Sequence, residues 1–316
     1  MSCNFISASG FYPWQTTIYK SINLSGIGLH KGDLVNMTLK PSKEDSGIKF
    51  IRNDIKGDIS DRTIIANYKN VSDTNMCTTI ENKMNISVST IEHLMAALSG
   101  SGIDNIEIHL DSPEVPIMDG SSKQFIDIIE TAGIKRLSRK RSYLKILNKV
   151  TVSDGDKKCS LGVSDNIEFF ASIDFSDKVI GKQECSINME NFNFKESISN
   201  ARTFGFMKDV EALRRSGLGL GGSLDNCIII ENNEVINSEG LRHENEFVIH
   251  KVLDAIGDIF TSGFRIQGSY EGYLCGHHMN NLLLKELFKN EDSYEIFELD
   301  EKGFESKEYN GQLLSA

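Results

Sequence analysis

Glu246-Phe247-Val248-Ile249-His250-Lys251-Val252-Leu253-Asp254-Ala255-Ile256-Gly257-Asp258-Ile259-Phe260 is the stretch from which the rest of the chain can be read. At the helical period, His250, Asp254 and Asp258 fall at about 0°, 40° and 80° on one face. Lys251 borders that stripe, and Glu246 and Gly257 close its other edge. Val248, Ile249, Val252, Leu253, Ile256, Ile259 and Phe260 fill an apolar arc, so the pattern predicts a mostly buried helix with one narrow polar face. A His and an Asp one turn apart can reach a single metal ion. The same pattern also fits an ordinary amphipathic helix with a solvated polar stripe, and other segments have to decide between them.

The chain of 316 residues has 39% hydrophobic content and a net charge of −11, enough for two cores and unsuited to a nucleic-acid backbone binder. No apolar run is long enough for a membrane span, and Met1-Ser2-Cys3-Asn4-Phe5-Ile6 lacks the pattern of a secretion signal. Six scattered cysteines without a C-x-x-C pair predict neither a disulfide framework nor a cysteine zinc site, and free thiols fit a cytoplasmic protein.

Residues 1–15 read as an extension. Ile18, Ile22 and Leu24 mark short strand pieces, and His30 sits in the glycine-punctuated turn Gly26–Gly32, where it reads as a loop residue. Leu34–Lys40 alternates as a strand, with Gly47–Arg52 as its expected partner. Ser89-Thr90-Ile91-Glu92-His93-Leu94-Met95-Ala96-Ala97-Leu98 predicts a helix. Ser89 and Glu92 have capping-box spacing, which gives Glu92 a purely structural reading. Ile91, Leu94, Met95 and Leu98 form its core stripe and point His93 to the opposite side, where an adjacent acid and imidazole suit a general base beside a metal ligand.

Asn105–Leu110 reads as a half-buried strand with His109 on its polar face. Ser121-Ser122-Lys123-Gln124 reads as a capped helix start, with Gly133 closing that helix. Lys135–Arg141 is the basic cluster and reads as a solvated linker, placing domains at 16–137 and 143–316 with a linker at 138–142. Strands follow at Tyr143–Leu147, Lys149–Val152 and Ile167–Phe175. Gly217-Leu218-Gly219-Leu220-Gly221-Gly222-Ser223 contains G-x-G-x-G, but a helix precedes it and a strand follows, the reverse of a dinucleotide fingerprint. His277 and His278 follow Gly276 ahead of an expected helix at Leu282–Phe288, which makes them candidate acids.

Ser-Thr-Ile-Glu92-His93-Leu, Ile-Met-Asp119-Gly-Ser, Ala-Arg-Thr203-Phe-Gly-Phe206-Met, His250-Lys251-x-x-Asp254-x-x-Gly-Asp258 and Gly-His277-x-x-Asn-Asn occur in this order. Over roughly residues 17–300 the sequence resembles the UDP-3-O-acyl-N-acetylglucosamine deacetylases of bacterial lipid A synthesis. The resemblance implies an α+β fold of two similar domains, each a small sheet layered against helices, with the site between them. It implies one catalytic Zn²⁺ per chain held by His93, His250 and Asp254, with a fourth position open; iron(II) also suits that donor set. It implies Glu92 as the base for water, Thr203 as an oxyanion partner, and His277, held as the imidazolium by Asp258, as the acid for the leaving amine. It further implies Lys251 at a substrate phosphate, Phe206 on the uracil and Asp209 near the nucleotide sugar. Val210, Leu218, Gly219, Gly222, Ser223 and Leu224 are implied along an acyl-chain passage.

Leu274 stands where the family often has lysine, and Gly219 where some relatives carry a larger residue. A zinc peptidase would want H-E-x-x-H, which is absent. A non-catalytic nucleotide-sugar or lipid-binding relative predicts loss of Glu92 or His277, and both are present. The expected partner is the small-molecule substrate, with no nucleic acid, and the chain is expected to act as a monomer.

Overall fold

The computed structural model describes residues 11–189, 194–300 and 305–306. Among these are helices α1 (Glu92–Gly100), α2 (Lys123–Ala132), α3 (Phe194–Ser197), α4 (Met207–Arg215), α5 (Glu246–Phe260) and α6 (His277–Leu287). The α5 boundaries coincide with the amphipathic stretch quoted above.

Two sheets share one strand order. In the first, Ile22–Ile27, Leu34–Pro41, Ile106–Leu110, Ile48–Arg52 and Thr63–Ile65 lie side by side in that sequence. In the second, Val150–Asp154, Lys157–Gly162, Arg265–Tyr273, Ile167–Asp174 and Lys182–Asn188 repeat it, and Ser142–Ile146 pairs with the start of the long strand Arg265–Tyr273. In each sheet the middle strand follows a buried helix, α1 or α5, and is parallel to one neighbour and antiparallel to the other. The fold is therefore α+β, built from two topologically similar halves. The apolar runs that fill the middle strands, such as Ile106, Ile108 and Leu110, face a core with no exposure.

This order corrects one expected pairing. Leu34–Pro41 and Ile48–Arg52 are neighbours in sequence but not in the sheet, because Ile106–Leu110 lies between them. The parallel pair needs a long crossover, which the segment carrying α1 supplies.

The two halves meet through α1 and α5. α1 is buried nearly all round, and α5 keeps only Ile249 and Lys251 partly exposed. Gly257 explains the close crossing: a Cβ there would stand 2.0 Å from the Glu92 carbonyl oxygen and 3.1 Å from the Ala96 nitrogen. Because those neighbours are backbone, Gly257→Ala has no side chain to push aside. Its expected result is a loss of about 1–3 kcal/mol in unfolding free energy, the usual cost of overpacking, read by denaturant melts.

The N-terminal extension and the basic linker are also corrected. Trp14–Ile18 is a strand paired antiparallel with Ile134–Lys140, so most of the basic cluster is strand rather than loop. Lys135, Arg136 and Arg139 are exposed, and the missing aromatic partner comes from far away: Arg136 and Lys140 lie 3.8 and 4.3 Å from the centre of the Trp14 ring. Arg141 alone separates that strand from Ser142–Ile146. It is buried, with Nε and Nη2 donating to Asp104 Oδ2. The rest of the expected extension up to Gly10 lies outside the described residues.

Candidate metal centre and active site

His93 comes from the first turn of α1, and His250 and Asp254 from successive turns of α5. One ligand atom from each lies within 4.8 Å of the others, all three residues being buried. Asp254 Oδ1 stands 3.5 Å from His93 Nε2 and 3.3 Å from His250 Nε2. His250 Nδ1–H donates to the Ala201 carbonyl at 3.0 Å, which leaves Nε2 as the lone-pair nitrogen turned toward Asp254. Burial pushes the His250 imidazole down to about 3, so it is a neutral donor. Burial also works against a charge on Asp254, but its surroundings, the bonded Lys251 ammonium among them, outweigh it and hold the carboxyl well below its ordinary range. Asp254 Oδ1 and His93 Nδ1 are buried with no hydrogen-bond partner. A carboxylate oxygen buried with no donor, facing two imidazole nitrogens, fits a cation.

Beside this group stands Glu92, with 3% exposure. Its Oε2 accepts from Thr78 N–H at 3.0 Å, and its Oε1 lies 3.9 Å from His277 Nε2. The capping reading therefore gives way: the carboxylate is occupied by Thr78, Ser89 Oγ donates to the Pro113 carbonyl, and α1 starts without a side-chain cap. At the start of α2 the N-cap Ser122 donates its Oγ–H to the His93 carbonyl, while Ser121 Oγ accepts from Lys123 N–H and donates to Asp119. Burial raises the Glu92 carboxyl above its ordinary value, with His277 and His93 opposing. That suits a group meant to take up a proton.

His277 is the first residue of α6, which begins earlier than the expected Leu282 and sets the ring at the helix start. Its Nδ1–H donates to Asp258 Oδ2 at 2.8 Å. Burial opposes a charge on this ring, but Asp258 and, more weakly, Glu92 and Asp254 prevail and raise it to about 10. Both groups are thus shifted toward holding a proton, Glu92 by burial and His277 by its carboxylate neighbours, and 3.9 Å is too long for them to share one directly. Each is led in by a left-handed non-glycine residue, Thr90 (φ 57°) two residues before Glu92 and Leu274 (φ 53°) three before His277. Such conformations cost about 1–3 kcal/mol and persist where surrounding structure imposes them.

The segment holding Thr203 is tied to α5 by a buried ion pair. Arg202 N–H and Nε both donate to Glu246 Oε1, at 2.9 and 3.0 Å. That bond fixes Ala201, which orients His250, on one side and Thr203 on the other. Thr203 N–H donates to the Gly120 carbonyl, and a Cβ at Gly120 would collide with the Asn226 backbone at 2.1 Å. Asp119, next to it, accepts from Arg242 at 2.8 Å.

From Thr203 a cavity of about 310 Å³ runs away between the glycine loop and α4. Thr203, Phe206, Val210, Gly219, Gly222, Ser223 and Leu224 line it. Asp209, in the first turn of α4, and Leu218 do not. Lys251 lies elsewhere as well: its Nζ donates to Asp254 Oδ2 at 2.8 Å. His30 lies in a turn, as its loop reading has it, but is buried in the cavity wall with both ring nitrogens unpartnered, and Leu29, Met76 and Leu213 join it there. His109 is buried too, bonded to Glu107.

Sequence patterns also passed over Thr78, Asn280 and Tyr270. Asn280 Nδ2 donates to Asp258 Oδ2 at 2.8 Å, and Asn280 Oδ1 accepts from the Tyr270 hydroxyl at 2.6 Å. The pair Asn280-Asn281 just after His277 was the available signal; Thr78 lies in a polar stretch with no periodicity to mark it.

Residues 15–289 match the LpxC family, described as UDP-3-O-acyl N-acetylglycosamine deacetylase. Among relatives named UDP-3-O-acyl-N-acetylglucosamine deacetylase, the protein of Nautilia profundicola is 46% identical over 92% of this chain and 96% of its own length. That of Campylobacter fetus is 44% identical, covering 93% and 98%. That of Pasteurella multocida is 42% identical, covering 91% and 94%. Likeness along nearly the whole of both chains, together with a buried His-His-Asp group flanked by Glu92 and His277, places this chain in the LpxC family of deacetylases.

Proposed function

We propose that the chain hydrolyses the acetamide of UDP-3-O-(3-hydroxyacyl)-N-acetylglucosamine, releasing acetate, a step of lipid A biosynthesis, with one zinc ion held by His93, His250 and Asp254. The observation that carries this reading is the placing of Glu92 and His277, 3.9 Å apart, beside that buried donor group. A zinc ion bound there supplies Lewis acidity toward water and the carbonyl oxygen. Glu92 accepts the proton of the attacking water, and Thr203 donates to the oxygen on which negative charge develops. His277 gives its Nε2 proton to the departing amine while Asp258 holds its other nitrogen, so one group serves the water and another the leaving group. Iron(II) satisfies the same donors.

The cavity lined by Phe206, Val210, Gly222 and Ser223 has the size and apolar character for an acyl chain; we assign Leu218 to its approach and Phe206 to the uracil. Asp209 contacts the nucleotide sugar, and Lys251, a quarter exposed beside Asp254, serves both that carboxylate and a substrate phosphate. The chain works as a monomer. The free thiols of Cys77, Cys159, Cys185, Cys227 and Cys275 support a reducing, cytoplasmic setting. No helix among the described residues is long and apolar enough to cross a membrane.

Metal analysis and acetate release on one purified sample test the reading. About one zinc per chain, with turnover abolished by a chelator and restored by Zn²⁺, is the expected result. Bound zinc without turnover on substrates of several acyl lengths would favour a binding protein instead.

A further inference from the structure

We propose that Thr78 is a positioning residue that sets the base and the acid in one frame, an inference that rests on the roles assigned above to Glu92 and to the His277–Asp258 pair. Thr78 is 2% exposed, and each of its polar groups is committed. Its N–H donates to Glu92 Oε2 at 3.0 Å, and its carbonyl accepts from Ile91 N–H, the residue before Glu92, at 3.3 Å. Its hydroxyl donates to Asp258 Oδ1 at 2.6 Å. One residue of the first half thereby grips the base carboxylate, the backbone that carries it, and the carboxylate that orients the acid on the second half.

The two ends of that grip do different things. Holding Glu92 by Oε2 leaves Oε1 as the oxygen facing His277. Asp258 takes His277 and Asn280 on Oδ2, so the Thr78 hydroxyl supplies the bond on the other oxygen. That third bond stops the carboxylate turning about its own axis, and the imidazole follows the carboxylate. A hydroxyl facing a carboxylate oxygen can only donate, so the bond has one sense, and burial keeps water from replacing it. Outer partners of this kind typically cost about 10–100-fold in activity when removed.

The test uses the full zinc-loaded chain as Thr78→Val, Thr78→Ser, Asp258→Asn and the double variant Thr78→Val/Asp258→Asn, each checked for zinc content and melting temperature. Valine keeps the backbone bonds to Glu92 and Ile91 and loses only the hydroxyl. The expected result is a fall in kcat of about 10–100-fold with KM and zinc content little changed, near-parental kcat for Thr78→Ser, and little further loss in the double variant than in Asp258→Asn alone. If valine prevents folding, Thr78→Ala, which removes the same hydroxyl without added bulk, carries the comparison with serine. Parental kcat in Thr78→Val beside an impaired Asp258→Asn overturns the role of Thr78 alone. So does a serine variant as slow as the valine one, or a valine loss that adds in full to that of Asp258→Asn. Parental kcat in Asp258→Asn overturns the acid assignment itself, and the positioning role with it.

Discussion

Glu92→Ala keeps its zinc and loses most of its turnover, with kcat and kcat/KM falling together by about 10²–10⁴, the range a positioned general base contributes. The expectation follows from where the side chain points. His93, its neighbour on α1, belongs to the metal group, but Glu92 itself lies outside that group and turns its Oε1 toward His277. Removing it therefore leaves the three donors in place and takes away the proton acceptor. The Thr78 N–H loses its partner in the alanine variant, so some stability goes too. Glu92→Gln separates the effects, because the amide oxygen still accepts from Thr78 while no longer taking a proton from water. Equal losses in the two variants point to the base; a glutamine variant with parental turnover removes Glu92 from that role. Zinc content by elemental analysis and acetate release in single turnovers are the two readings needed.

Asp254→Ala is expected to lose the metal. Two imidazoles remain, one of them oriented by Ala201, and the anionic donor that favours a dication is gone. The drop in affinity should exceed the roughly 10–100-fold that loss of an outer partner costs. A second consequence is structural. Lys251 Nζ is paired with Asp254 Oδ2, and alanine leaves that ammonium, on a helix otherwise buried, without its partner. Breaking a buried pair from one side costs about 3–5 kcal/mol, an upper bound here because Lys251 keeps some contact with water. Asp254→Asn keeps a neutral acceptor for Lys251 and should melt closer to the parent while still binding zinc weakly. Dialysis followed by metal analysis decides the matter: stoichiometric zinc retained in the alanine variant means the donor set is wrong. A low zinc content together with restored turnover at high Zn²⁺ is the pattern expected for Asp254→Asn.

The elements that carry the chemistry were readable from local pattern. The stretch Glu246–Phe260 is helical over its whole expected length, and its polar edge is where His250, Asp254 and Asp258 meet their partners. The strands Leu34–Pro41, Ser142–Ile146 and Ile167–Asp174 also stand within a residue or so of where the sequence puts them. Both periods arise from bonds between near neighbours in the chain, so a window of a dozen residues contains the information. The motifs around Glu92, Thr203 and His277 added the chemistry through family likeness, which no window supplies.

What failed did so wherever the partner lay far away in sequence. Leu34–Pro41 and Ile48–Arg52 read as a pair until Ile106–Leu110 came between them. The basic run before Arg141 read as solvated because Trp14, whose ring its cations cover, is more than a hundred positions distant. Ser89 and Glu92 have capping spacing, yet Thr78 takes the carboxylate. Sequence alone determined the principal helices and several of the strands and, through its motifs, which reaction family the chain serves. Tertiary structure decided the strand order, the tuning of Glu92 and His277, and the clamp from Thr78. Those depend on burial and on bonds between distant residues, which exist only once the two halves close around α1 and α5.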